Sequence, residues 1–128
     1  AAMTAAKLDP NAYPRLSGDY STALGESGME ALLTCHPRPT AVVAGNDEIA
    51  IGVIRTLKRV GLTVGQQVSV IGFDDQRIAS LYEPALTTVR VPTEELGYQS
   101  AMLLIQQKIS IMALQLFSPN QVKQTRPL

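Results

Sequence analysis

Thr40-Ala-Val-Val-Ala44 and Val68-Ser-Val-Ile-Gly-Phe73 are short apolar runs rich in β-branched residues, and together they decide the fold. Neither run alternates cleanly with polar residues, which is typical of parallel strands covered on both faces. Between them, the segment Asp47–Val60 has apolar residues at helical spacing, and Gly61 follows as a helix stop. Strand, helix and strand in this order predict a βαβ unit with two adjacent parallel strands. We therefore expect an α/β fold in which helices flank a parallel sheet.

The flanking segments continue this alternation less strongly. The sequence predicts a short strand over Leu16–Tyr20, a helix over Thr22–Thr34, a short irregular or helical piece over Gln76–Tyr82, an extended segment over Leu86–Val91 and a helix over Thr93–Gln107. Thr93 is the expected N-cap of the last helix, because two carboxylates follow it in the first turn, where the helix dipole favours negative charge. That helix is apolar on several sides, so we expect it to have more than one neighbour and the chain to form a dimer or higher oligomer.

The composition excludes several classes of protein. The chain has 128 residues, of which 45% are hydrophobic, and its eleven Lys and Arg balance its eleven Asp and Glu. This neutrality argues against electrostatic binding of nucleic acid by this segment alone. The single cysteine, Cys35, and the single histidine, His36, exclude an internal disulfide, a cysteine cluster and a histidine-rich metal site. With no secretory signal and no bilayer-spanning apolar run in the sequence, we expect a soluble, cytoplasmic protein without membrane contact.

The two predicted strands end alike, with a glycine followed by polar side chains. Asn46 follows the first strand and Asp74 the second. Ligands of open parallel sheets bind beyond the carboxyl ends of the strands, and an amide beside a carboxylate suits a neutral polyol such as a sugar. Phe73 or Tyr20 would supply an apolar face for the sugar C–H groups. In the alternative interpretation, Asn46 or Asp47 only caps the helix, and Asp74 or its neighbour only forms a turn.

Signatures of catalysis are scarce. The sequence contains no Gly-x-Ser-x-Gly elbow, no Gly-x-Gly-x-x-Gly loop and no P-loop. His36 lies at a predicted helix end, where a solvated or capping histidine is the common case, and its neighbour Cys35 does not make a catalytic pair. We expect neither enzymatic activity nor a cofactor nor a bound metal.

Four stretches resemble the effector-binding core of the LacI/GalR family of transcription regulators. They are Pro39–Gly52, Val68–Asp75, Pro84–Val91 and Glu95–Gly97, in the family's order and at its distances. The resemblance covers roughly residues 15–107. It implies a two-lobed, periplasmic-binding-protein-like fold that closes on a small ligand, usually a sugar or a nucleobase. Residues 1–85 would then be the C-terminal lobe of that core, 86–110 a crossover segment with a helix of the other lobe, and 111–128 a return segment or tail.

The resemblance also implies roles for individual residues. Asn46 and Asp74 match the family residues that hold sugar hydroxyls, and Tyr20 matches an aromatic residue that lines the pocket. A predicted dimer interface is formed by Ile51, Arg55 and Tyr82. The family binds operator DNA through an N-terminal helix-turn-helix, for which this sequence has no counterpart.

These observations predict the effector-binding and dimerisation portion of a sugar-responsive repressor, whose partners are a small-molecule effector and a second copy. Operator DNA would be bound only through the N-terminal domain. A transport-type sugar-binding protein of the same fold is the alternative. A doubly wound, phosphate-using enzyme is a third class, and it would need a glycine-rich anion loop, which this sequence lacks.

Overall fold

A computed structural model of the chain describes residues 2–9 and 11–117, in two compact units divided between Val91 and Pro92. The first unit contains α1 (Ala2–Ala5), α2 (Thr22–Leu33), β1 (Ala41–Val43), α3 (Asp47–Arg59), β2 (Ser69–Asp74), α4 (Arg77–Leu81) and β3 (Thr87–Arg90). The second unit contains α5 (Thr93–Phe117). Among the helices of the described ranges, none combines the length and the apolar character that crossing a membrane requires.

The sheet confirms the predicted α/β fold. Its strand order is β1-β2-β3, and both neighbouring pairs are parallel. Val43 is in register with Ile71, and Ile71 is in register with Thr87. The extended segment predicted over Leu86–Val91 is therefore the third strand of this sheet. The assignment of the chain beyond it to a second lobe stays a prediction.

The central helix α3 begins and ends where the sequence predicts. The Asn46 side chain accepts a hydrogen bond from the Ile49 amide at its start, at 2.9 Å. At its end Gly61 has φ +75°, and the Leu62 amide donates to the Leu57 carbonyl at 2.9 Å. This is the Schellman arrangement, in which a glycine in the left-handed region lets the chain turn back over the last helical carbonyls.

Helices α2 and α3 cross at two glycines. A Cβ built on Gly25 would lie 2.9 Å from the Ile49 carbonyl carbon, and closer still to its oxygen. A Cβ on Gly52 would lie 2.9 Å from the Glu26 amide nitrogen and would overlap the Thr22 carbonyl oxygen. Because the obstacles are backbone atoms, the two helices approach this closely only while neither position has a side chain.

The hydrophobic core lies between α3, α2 and one face of the sheet. Its largest fully buried apolar side chains are Met29, Ile54, Leu57 and Val68. The opposite face of the sheet is less covered, and Val43 on it is 83% exposed. The prediction that the strands are covered on both faces is therefore wrong for the described residues, because α2 and α3 fill only the side on which Val42 and Val70 lie.

The secondary structure predicted for two segments is wrong. Leu16–Tyr20 is not a strand, and part of it lies against α2: Leu16 Cδ1 is 3.2 Å from the Cβ position of Gly28, and Leu24 of α2 flanks Gly18. The last helix begins at Thr93 itself and continues past Gln107 to Phe117, since the apolar run after Ser110 extends the helix. Of the return segment predicted over 111–128, residues 118–128 lie outside the described residues.

Candidate functional site

Asn46 and Asp74 emerge from equivalent positions of two neighbouring strands. Val43 and Ile71 are in register, and each of the two polar residues lies three positions beyond its paired residue. The Ala44 amide continues the ladder by donating to the Ile71 carbonyl at 2.9 Å. Parallel strands lie about 4.8 Å apart. Asn46 and Asp74 therefore leave the same edge of the sheet, called here the carboxyl rim.

Asn46 is a helix cap, as the alternative interpretation expected. It is 7% exposed, and besides accepting from the Ile49 amide it donates from Nδ2 to the Tyr20 carbonyl at 3.3 Å. An asparagine side chain has two N–H donors and an oxygen with two lone pairs, so one donor and one acceptor position remain. Capping and ligand binding are thus compatible uses of this residue.

Asp74 ends β2 in an unusual backbone conformation. Its φ is 106°, and that of Asp75 is 56°, so two successive non-glycine residues lie at positive φ. The Asp75 carboxylate forms an ion pair with Arg90 of β3 at 2.5 Å. Asp74 is half-buried, and no residue of the described part of the chain donates a hydrogen bond to its carboxylate. Of the two adjacent carboxylates, Asp74 is thus the one left available to a ligand.

Asp47 connects three elements of the structure and is not the helix cap that the sequence suggested. It is 0% exposed, and its two carboxylate oxygens accept from different elements: Oδ2 from the Gln76 amide at 2.7 Å and Oδ1 from the Thr88 hydroxyl at 2.5 Å. The carboxylate therefore joins the start of α3 to the loop after β2 and to β3. Sequence analysis considered Asp47 only as a cap, because neither partner is near it in the sequence.

Tyr20 lies next to the rim through its backbone rather than its ring. Its carbonyl accepts from Asn46, while the residue as a whole is 71% exposed. The ring edge passes Gly45, with Cε1 3.6 Å from the position of a built Cβ. Phe73, the other aromatic candidate, is 42% exposed on β2. Both aromatic residues are exposed. Of the two, Tyr20 is the one whose backbone contacts Asn46.

An apolar hollow of about 660 Å³ adjoins this rim. It is lined by α2, by β1 and by the segment over 13–18, and it includes Tyr20 and Gly45 at one end. Neither Asn46 nor Asp74 lines it. The two polar candidates therefore belong to the carboxyl rim, whereas the hollow runs along the side of β1.

The residues of the predicted dimer interface differ in accessibility. Ile51 is only 6% exposed. Arg55, one turn later on α3, is exposed, and its Nη1 lies 3.6 Å from Glu26 Oε1. Tyr82 follows α4 and is half-buried, with Lys58 Nζ 5.1 Å from its ring centroid. Arg55 and Tyr82 offer surface to a partner, and Ile51 is packed inside the chain. The interface itself stays a prediction.

Because Asn46 caps α3, its replacement has an effect on stability without any ligand. We expect Asn46→Ala to lower the free energy of unfolding by about 1–2 kcal/mol. Asn46→Ser keeps a capping oxygen for the Ile49 amide and loses only the donor to Tyr20, so its loss should be smaller. Urea denaturation of both variants checks this, and equal losses would contradict the capping role.

Comparison with known proteins identifies the domain family of this chain. Residues 1–116 match the family of periplasmic binding protein-like domains. The HTH-type transcriptional repressor PurR of Yersinia enterocolitica is 40% identical over 95 residues, covering 74% of this chain and 28% of PurR. The chain thus spans little more than a quarter of the length of the curated relatives it matches.

Two solved structures have the same fold. The lac repressor dimer bound to operator and the anti-inducer ONPF superposes with a TM-score of 0.77 and 32% identity, over 84% of this chain and 37% of that one. The complex of the transcriptional regulator CelR with cellobiose gives a TM-score of 0.74 and 33% identity, over 83% of this chain and 32% of that one. PurR, the lac repressor and CelR are all transcription regulators.

Proposed function

The chain belongs to the periplasmic binding protein-like family, in the form found in LacI/GalR regulators, and we propose that it is the effector-binding portion of a sugar-responsive transcriptional repressor. One observation carries the proposal: an amide and a carboxylate, Asn46 and Asp74, leave the same rim from register-equivalent positions of adjacent parallel strands. Ligands of such sheets bind beyond this edge.

A neutral sugar is the effector class that this rim favours. Each hydroxyl of a sugar both donates and accepts, so it matches an amide with a spare donor together with an ionised carboxylate. Tyr20 is exposed and its ring edge passes Gly45, next to Asn46 in the sequence, so the ring offers an apolar surface for sugar C–H groups. The complex of CelR with cellobiose, a regulator of the same fold, supports this class.

The repressor would respond by a shift between two conformations. An effector changes an equilibrium only by as much as its affinity differs between the two states. A sugar held at the rim by Asn46 and Asp74, and from the opposite side by a second lobe, would favour one arrangement of the lobes. That arrangement would set the spacing of the repressor's DNA-binding domains.

A cytoplasmic dimer is part of the same proposal. The exposed Arg55 and the half-buried Tyr82 are its predicted contacts, with Ile51 packed behind them. The lac repressor relative is a dimer on its operator, which supports two-fold assembly. Light scattering at micromolar concentration checks this, and a monodisperse monomer would contradict it.

A transport-type sugar-binding protein uses the same fold, and it is the competing function. The two functions differ in what precedes the effector-binding core in the reading frame. A helix-turn-helix upstream of Ala1 supports the repressor, and a secretory signal there supports the transporter. Reading the coding sequence upstream therefore decides between them.

The binding site is tested by removing the Asp74 carboxylate from the protein expressed from the complete reading frame. We expect Asp74→Ala to weaken saccharide binding by about 10- to 100-fold, because a hydrogen bond to a charged group contributes about 1.5–3 kcal/mol. Calorimetric titration with cellobiose and a set of neutral monosaccharides measures the change. Asn46→Ser, which keeps an oxygen for the helix cap, tests the amide in the same way.

The control is Glu30→Gln, which removes an exposed carboxylate that forms an ion pair with Arg59 on the surface. It should leave binding unchanged. Unaltered affinity in both rim variants would refute the site. Binding of a nucleobase such as adenine with no response to any saccharide would refute the sugar class.

A further inference from the structure

We propose that Asp47 and Thr88 are positioning residues that hold the turn Asp74–Gln76 in the conformation that presents Asp74 to the ligand. The proposal rests on the proposed function for the identity of Asp74 as a ligand contact. The network of Asp47, Thr88 and the Asp75 and Gln76 amides is called here the rim clamp. No residue of the clamp needs to touch the ligand.

The hydrogen bonds of the clamp fix the turn at both of its later residues. The Asp47 carboxylate accepts from the Gln76 amide at 2.7 Å and from the Thr88 hydroxyl at 2.5 Å. The Thr88 oxygen in turn accepts from the Asp75 amide at 3.3 Å. A hydroxyl can donate and accept at once, so Thr88 links the buried carboxylate to the backbone of the turn.

The turn needs such support because of its backbone conformation. Asp74 has φ 106° and Asp75 has φ 56°. Residues with a Cβ rarely adopt positive φ, and they keep it only where the surroundings over-determine the backbone. The two amides that follow Asp74 are the groups held by the clamp. Loss of the rim clamp would let the backbone of the turn leave this conformation and would change the direction of the Asp74 side chain.

Capping of α3 does not explain why Asp47 is buried. Asn46 already occupies the N-cap position and accepts from the Ile49 amide. A buried carboxylate is expensive unless its oxygens are hydrogen-bonded, and both oxygens of Asp47 are bonded outside its own helix. Strand β2 leaves room for the Asp47 carboxylate at Gly72, since a Cβ there would overlap Asp47 Oδ1. These observations point to a role in holding the rim together.

The clamp is tested with three threonine variants of the full chain. Thr88→Val is nearly isosteric and removes both hydrogen bonds of the hydroxyl, Thr88→Ser keeps the hydroxyl, and Thr87→Val makes the same change at an exposed neighbour. Hydrogen exchange of the Asp75 and Gln76 amides, followed by NMR, reports the turn without any ligand. Titration with cellobiose, or with whichever saccharide the wild type binds, reports its consequence under conditions where each variant is fully folded.

We expect Thr88→Val to speed exchange of the two amides at least 10-fold and to weaken saccharide binding about 10-fold. Thr88→Ser should restore both, and Thr87→Val should change neither. Unchanged exchange in Thr88→Val, or failure of serine to rescue it, would overturn the proposal. Faster exchange with undiminished saccharide affinity would also overturn it, because the turn would then be held for a reason unrelated to Asp74. Absence of saccharide binding in the wild type would instead refute the proposed function, and the exchange data would still decide whether the clamp holds the turn.

Discussion

Gly52→Ala is expected to destabilise the first unit by about 3 kcal/mol, although alanine normally stabilises a helix interior relative to glycine by about 1 kcal/mol. The added Cβ would overlap the Thr22 carbonyl oxygen and lie 2.9 Å from the Glu26 amide nitrogen. Backbone atoms cannot rotate away as a side chain can, so α2 and α3 must separate. Separation would loosen the contacts of Met29 and Leu57, both of which are fully buried.

Gly28→Ala is the matched control for this effect. Like Gly52 in α3, Gly28 lies in the interior of a helix, here α2. A Cβ on Gly28 would meet only the end of the Leu16 side chain, at 3.2 Å. That side chain is 45% exposed and can move aside. Gly28→Ala should therefore leave stability unchanged or raise it by up to about 1 kcal/mol. Thermal and urea unfolding compare the two variants, and similar stabilities would mean that the helices do not cross at Gly52 as described.

Gly72→Ala is expected to cost about 2–3 kcal/mol and to disturb the carboxyl rim at the same time. Its Cβ would overlap Asp47 Oδ1 and lie 3.0 Å from Leu86 Cδ2. The carboxylate would have to leave the position in which it accepts from Gln76 and Thr88. A buried charge that loses its hydrogen bonds is strongly destabilising.

Gly45→Ala and a double variant complete this test. The Cβ of Gly45→Ala would make only ordinary contacts, at 3.6 Å from Tyr20 and 3.8 Å from Ile49, so its stability should match that of the wild type. Asp47→Ala is destabilising by itself, but it removes the atom that obstructs Gly72→Ala. The double variant should therefore be more stable than the sum of the two single losses predicts. Strict additivity in urea unfolding would argue against the contact.

The βαβ unit could be predicted because its signals are local. Two β-branched runs, a helical period between them and a glycine at position 61 each act over a few residues, and the observed strands and helix lie within a residue or two of the expected bounds. The common edge for Asn46 and Asp74 followed from parallel pairing alone. The directions of their side chains did not, because those depend on hydrogen bonds with Tyr20 and on the turn after β2.

The parts that escaped prediction depend on partners distant in the sequence. Asp47 accepts from Thr88 across 41 positions, and no periodicity records such a pair. Leu16–Tyr20 was predicted to be a strand, but it contains Gly18 and Asp19, residue types that are depleted in strands, and Leu16 lies against α2 instead. Gly25 and Gly52 are exceptions that the sequence itself marks. A glycine inside a helical pattern often has a packing reason, and here both glycines lie where α2 and α3 approach each other.

The observed capping role of Asn46, together with its proposed role in effector binding, has a consequence for how this scaffold diversifies. If Asn46 binds the effector as proposed, a substitution there would alter recognition and also remove a helix cap, so most replacements would carry a penalty in folding stability. The ring of Tyr20 has no such second role among the described residues, since Tyr20 is 71% exposed and Asn46 bonds its carbonyl rather than its ring. We expect descendants of this protein to acquire new effector preferences through the aromatic position first, with the amide changing only in lineages that have gained stability elsewhere.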